Sequence, residues 1–167
     1  MKLEWIETSG GPLLCASPTI ARLWRGTDGS SAAAINDYER ACKSSNYLSK
    51  IPCGSSEILV LGDEPLLSAF VQRGSELVVV RWVSCLSMDL ASTAISSLPH
   101  ALPVVEAAVD FVTLEADLVL FDSALNGAHL ALSARATVLP SAFRVTTEKY
   151  KAHDQFEFLI HRFLPSV

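Results

Sequence analysis

A chain of 167 residues, half of them hydrophobic, can bury enough apolar surface to fold without a metal or disulfide staple. Its formal net charge of −5 disfavours nucleic acid and anionic membrane as partners, because both demand a basic surface that displaces counterions. The longest apolar runs, such as 77–80 and 118–121, fall far short of the ~20 residues that span a bilayer, so no transmembrane helix is expected.

The opening Met1-Lys2-Leu3-Glu4-Trp5-Ile6-Glu7 carries carboxylates where a secretory signal would have its apolar stretch, which predicts a cytoplasmic chain. Residues 2–7 and 12–16 read as the strands of a hairpin around the turn Ser9-Gly10-Gly11-Pro12. Ser17-Pro18 then supplies an N-cap and a proline at the first helical position. Ile20, Leu23 and Trp24 follow at helical spacing, predicting a short helix over 18–24. Residues 25–34 form the most loop-like segment. Asn36-Asp37-Tyr38-Glu39 fits a capping box and predicts a second helix over 36–44.

From Tyr47 the period changes. The β-rich runs 47–52, 57–61, 66–71 and 76–83, separated by turn signals, read as an antiparallel meander. A third helix is predicted over 89–98, bounded by Pro99 and Pro103. Beyond it, 109–114, 118–121, 129–132, 143–147 and 156–163 read as strands; in the last, Phe156, Phe158 and Ile160 alternate with Glu157 and His161, the pattern of a strand with one wet face. These elements make an α+β fold, predominantly antiparallel sheet with about three short helices, expected as one domain over residues 1–167.

The sequence has no P-loop, GxGxxG turn, HExxH pair, CxxC pair or GxSxG elbow, which weighs against the commonest enzyme classes and supplies no cofactor-binding motif. Cys15, Cys42, Cys53 and Cys85 are irregularly spaced and read as buried free thiols. Together with His100, His129, His153 and His161 they offer no ligand pair at zinc spacing, so no metal is expected; His153 reads as a turn residue and His161 as lying on a solvated face.

Gly62-Asp63-Glu64-Pro65 places two carboxylates on a tight turn, and Arg81 is the one charge in the apolar run 77–82. A buried guanidinium must find a partner, so a structural ion pair of Arg81 with Asp63 or Glu64 is expected. The alternative is an enzyme or small-ligand site built from the same Asp63, Glu64 and Arg81. Trp5 and Trp82 read as core, whereas Trp24, beside the 25–34 loop, is expected to be partly exposed and is a candidate partner contact.

Charge is unevenly distributed. Between Arg81 and Arg135 there is no lysine or arginine, while Asp89, Glu106, Asp110, Glu115, Asp117 and Asp122 all fall there; Arg135, Arg144, Lys149, Lys151 and Arg162 follow. Asp110, Glu115, Asp117 and Asp122 are the candidate residues of an acidic face that attracts a basic protein partner.

Several local signals in order resemble the immunity protein 21 family of bacterial polymorphic toxin systems. They are Trp5-Ile6-Glu7-Thr8-Ser9-Gly10-Gly11-Pro12-Leu13-Leu14, Trp24-Arg25-Gly26, Asp37-Tyr38-Glu39-Arg40-Ala41-Cys42, Tyr47-Leu48 and Ile51-Pro52. Leu59-Val60-Leu61-Gly62-Asp63-Glu64-Pro65, Arg81-Trp82 and Leu120-Phe121-Asp122-Ser123-Ala124 continue the series. The resemblance implies an α+β fold and an antidote that binds a cognate secreted toxin inside the producing cell. It carries no catalytic residues and implies no enzyme activity.

Overall fold

Every strand pairing is antiparallel among the described residues, which in this computed structural model are 3–31, 34–62, 64–130, 132–139 and 141–166. One sheet has the order β2-β3-β1-β7-β8, from β1 (Leu13–Ala16), β2 (Ser49–Cys53), β3 (Ser56–Leu61), β7 (Asp117–Asp122) and β8 (Ser133–Thr137). The other has the order β4-β5-β10-β9-β6, from β4 (Ser68–Arg73), β5 (Glu76–Cys85), β6 (Val109–Thr113), β9 (Ser141–Ala152) and β10 (Phe156–Pro165). The helices α1 (Pro18–Ala21), α2 (Asp37–Cys42) and α3 (Met88–Ser96) fall where capping and periodicity predict them, each shorter than expected. The α+β class with mainly antiparallel sheet is therefore as the sequence implies.

The two sheets share a core. Leu13, Cys15, Leu59, Leu61, Leu118 and Leu120 of the first meet Leu77, Val79, Phe111, Phe143, Val145 and Phe163 of the second. The alternate residues of the same strands are also covered. Leu14, Ile58, Val60, Val119 and Phe121 pack beneath α1 and α2 with Ala21, Trp24 and Ala41. Val78, Val80, Phe158 and Ile160 pack beneath α3 with Ala91, Ala94 and Ile95. Central strands covered on both faces need apolar residues at every position, which is why 59–61, 77–80 and 118–121 are continuous rather than alternating runs.

Four expectations are corrected. Residues 3–7 do not pair with 12–16: Ile6 exchanges hydrogen bonds with Ser68 of the second sheet at 2.8 and 3.0 Å, and the chain then crosses to become β1 between β3 and β7. The meander is two hairpins in different sheets, β2-β3 and β4-β5, joined by a crossover through residues 62–67. The strand expected at 129–132 begins later, at Ser133, after a 3₁₀ turn over Gly127–His129 in which the Asn126 side chain accepts from the Ala128 amide at 3.0 Å. Finally, β10 has no wet face: His161 is 1% exposed, because its side of the strand looks into the space between the sheets. His153, by contrast, does lie in a turn, with φ of 41°.

Gly127 shows how closely the turns are packed. Its amide donates to the Trp24 carbonyl at 2.9 Å, and a Cβ there would stand 1.7 Å from the Ala21 carbonyl oxygen. Backbone cannot yield as a flexible side chain can, so Gly127→Ala is expected to lower stability by about 1–3 kcal/mol or more. Leu139→Ala, at a residue 85% exposed, should change it by no more than about 0.5 kcal/mol. Urea denaturation of the two variants tests both expectations.

Candidate functional site

The residues singled out in the sequence divide into two sets, one inside the fold and one along its surface. Trp24 belongs to the first. It is fully buried, its indole Nε1 donates to the Ser123 carbonyl at 2.8 Å, and the Arg40 guanidinium lies 5.8 Å from its ring centroid. The expected partial exposure is therefore corrected: the ring joins the cluster of Leu14, Val60, Val119 and Phe121, and the loop that follows it is held by Asp37. That carboxylate, itself buried, accepts from the Arg25 amide at 2.8 Å, the Ser31 amide at 2.9 Å and Arg40 at 2.7 Å. Burial pushes the Asp37 pKa up, but the Ser31 and Arg25 amides, Arg40 and the Ser31 hydroxyl outweigh it and hold the carboxyl below its ordinary value.

Asp122 is also internal, at 4% exposure, and accepts from the Ser9 amide at 2.6 Å and the Ala124 amide at 2.9 Å. It ties the N-terminal segment to the end of β7 and is not on the surface with the other acidic candidates. Asp117 stands at the opposite end of β7, where it accepts from the Thr137 hydroxyl at 3.1 Å. Glu115 lies in the β6-β7 connection and faces the Thr19 amide at 3.3 Å. Asp110 is exposed on β6, opposite Arg144 of β9. The four carboxylates thus do not form one cluster.

Arg81 is 1% exposed and projects from β5 between the sheets. Its guanidinium donates to the main-chain carbonyls of Gly62 at 3.0 Å and Tyr47 at 3.3 Å, and to that of Glu64. Glu64 thus meets Arg81 through its backbone, and its side chain is on the exposed surface; Asp63 lies outside the described residues. The cleft at this turn, about 190 Å³, is lined by Gly10, Gly11, Pro12, Gly62, Glu64 and Pro65 among others.

A chain of polar groups that the sequence does not announce, half-buried at Tyr47 and Glu106 and buried at Thr147 and His161, continues from this arginine. The Tyr47 amide donates to Glu106 at 3.1 Å, the Thr147 hydroxyl donates to the other oxygen of Glu106 at 2.7 Å, and His161 Nδ1 lies 3.1 Å from the Thr147 oxygen. An ionised carboxylate only accepts, so the Thr147 proton points to Glu106 and His161 must carry its own proton on Nδ1. Burial, and after it the nearby Arg81 charge, depress the His161 pKa well below its ordinary value.

The basic C-terminal residues are largely engaged as well. Arg162, at 2% exposure, is held by Glu148 at 2.9 Å and by Glu76, while Lys149 and Lys151 clasp Glu157 at 2.9 and 3.0 Å. All four cysteines stand as free thiols; Cys15 and Cys53 are buried as expected, but Cys42 is exposed and Cys85 half-buried. Burial pushes the Cys15 thiol up, away from reactivity. Among the described residues, no three histidines, cysteines or carboxylates gather in a way that would hold a metal ion.

Two open clefts run along β6, between it and the β2-β3 hairpin of the opposite sheet. One, about 490 Å³, is lined by Leu48, Lys50, Glu106, Val109 and Asp110 among others. The second, about 570 Å³, lies between Ile20, Glu57, Phe111, Val112, Leu114 and Glu115. Asp110 lines the first of these clefts and Glu115, just beyond the strand, the second.

Fold and interior together define a class: an α+β sandwich of two antiparallel sheets in which the conspicuous buried polar groups hold strands and loops together. The chain belongs to the immunity protein 21 family, whose family model matches residues 4–155. No curated protein and no solved structure is significantly similar to it. Among the described residues, no helix is long and apolar enough to cross a membrane.

Two stability predictions follow from the interior. Arg81→Ala removes a buried side chain together with its bonds to the carbonyls of Gly62, Tyr47 and Glu64, and should cost about 3 kcal/mol or more in a denaturation experiment. For His161, the folded pKa lies below the unfolded one, near 6.5, so the unfolded chain binds the extra proton. Stability should therefore fall as pH drops below that value, by up to about 1.4 kcal/mol per pH unit for one proton, until the folded pKa is reached. Subtracting the denaturation profile of His161→Gln from that of the parent protein between pH 7.5 and pH 5 isolates this component.

Proposed function

We propose that this chain is an immunity protein that binds a cognate secreted toxin domain and neutralises it by covering its active or substrate-binding face, with no catalysis of its own. The observation that carries this reading is the family match over residues 4–155. The net charge of −5, and the stretch from Arg81 to Arg135 without lysine or arginine, suit a toxin with a basic surface. Affinity would come from a few buried anchors, and the association rate from acidic steering. Such a protein acts in the cytoplasm of the producing cell, before the toxin is exported. The enzyme reading of Asp63, Glu64 and Arg81 receives no support from a guanidinium that is buried and donates to main-chain carbonyls.

Co-expression with the toxin domain encoded beside this chain tests the class of function directly: growth should be rescued, and a purified complex should form. Continued toxicity with both proteins folded and abundant would rule the reading out. Asp110, Glu115 and Asp117 are the steering residues proposed. Their replacement by amides should slow association and flatten its salt dependence while leaving stability within about 1 kcal/mol. Asp122→Asn, by contrast, should act on stability, through its bonds to Ser9 and Ala124. Stopped-flow association at several salt concentrations separates the two effects.

A further inference from the structure

A β-sandwich of open sheets has edge strands, and natural proteins protect such edges with lysine, proline, bulges or covering segments. Three of the four edges here are protected in this way. β2 carries Lys50 and Pro52, β8 carries Arg135, and β4 carries Arg73 and is met at Ser68 by Ile6. β6 is the exception. Its one charged residue is acidic, Asp110, it has no basic residue and no proline, and among the described residues its far side has no strand partner.

The side chains on this edge include exposed apolar ones. Val112 is 52% exposed and Leu114, just beyond the strand, 87%. Upstream, residues 103–105 pair with the same β9, through Lys149 to Pro103 at 3.0 Å and Val105 to Thr147 at 2.9 Å, and there Val104 is 58% exposed. One margin of the second sheet thus presents exposed apolar residues and an unpaired backbone edge, beside the two clefts. The charged residues lining those clefts are Glu57, Glu106, Asp110 and Glu115 against Lys50, and Lys50 is already bonded to Glu57 at 2.7 Å.

We infer that β6 is the docking edge of this protein, and that its occupant is an extended, basic segment of the toxin that adds a strand beside β6. This inference rests on the immunity reading and names its surface. Main-chain hydrogen bonds to the free edge would supply register, Val112 and Leu114 the apolar contact, and the cleft carboxylates the preference for lysine and arginine. A second copy of this chain fits worse, because two such margins carry the same excess of carboxylates, from Asp110 and from Glu115 just beyond the strand, and offer no lysine or arginine to meet them.

The test uses the full chain and the toxin domain encoded beside it. Val112→Lys with Leu114→Lys places two lysines on the edge at exposed positions, and Leu139→Lys, 85% exposed outside β6, is the control. The double variant should bind the toxin at least tenfold more weakly and lose protection of growth, with an unchanged melting temperature, whereas the control should behave as the parent protein. Independently, amide hydrogen exchange on the unaltered complex should show new protection across 109–114. Equal binding by the double variant and the parent, without new protection at 109–114, overturns the edge assignment while leaving the immunity reading intact. A parent protein that neither binds nor protects removes both. A parent protein that sediments as a dimer, and as a monomer once the lysines are introduced, assigns the edge to self-association and overturns the proposal.

Discussion

The placement of a guanidinium between two sheets is the constraint from which much of this structure follows. Arg81 sits in a central strand with apolar neighbours on both sides, and in that position its donors must be met. The carbonyls of Gly62 and Glu64 accept from its two terminal NH2 groups at the crossover between sheets, and that of Tyr47 does so from the approach to β2. One side chain therefore fixes where the chain leaves the first sheet and enters the second. The polar line through Tyr47, Glu106, Thr147 and His161 extends that junction to β9 and β10. It also brings Glu106 inward just before β6, at the break between the two segments that pair with β9.

A similar logic governs the outer face of the first sheet. Trp24, Asp37 and Asp122 are buried together with the turns they hold, and several of the residues that carry the family resemblance meet there. Trp24 bonds Ser123, Asp37 bonds Arg25, and Asp122 bonds Ser9. Gly26, with φ of 59°, passes so close to the Ala124 carbonyl that a Cβ would stand 2.4 Å from it. These motif residues hold loops in place. Under the proposed reading, recognition falls to surface residues instead, and β6 with its adjoining clefts is the surface inferred for it.

Local chemistry determined a good deal of this protein from sequence alone. The three helices were legible from Ser17-Pro18, from Asn36 with Glu39, and from the stripe of Leu90, Ala94 and Ile95, because caps and helical period act within a few residues. Most strands were legible from β-branched runs and their turns, and the excess of strand over helix gave the α+β class. The charge asymmetry was read directly, as was the need of Arg81 for a partner.

The tertiary structure alone decided the rest. Which sheet each strand joins depends on contacts between residues far apart in the chain, so the hairpin expected at the N-terminus became a bridge from Ile6 to Ser68 and a crossover. Burial is likewise a property of what packs above a residue. His161 alternates along its strand as a wet residue would, yet the opposite sheet covers it, and Trp24 precedes a loop-like sequence yet is buried in the cluster beneath the first two helices. The same holds for the acidic residues. Composition set their number, but the sheets sent Asp122 inward and left Asp110 and Glu115 beside an open strand edge, because the side on which a carboxylate emerges is fixed only when its strand has found its neighbours.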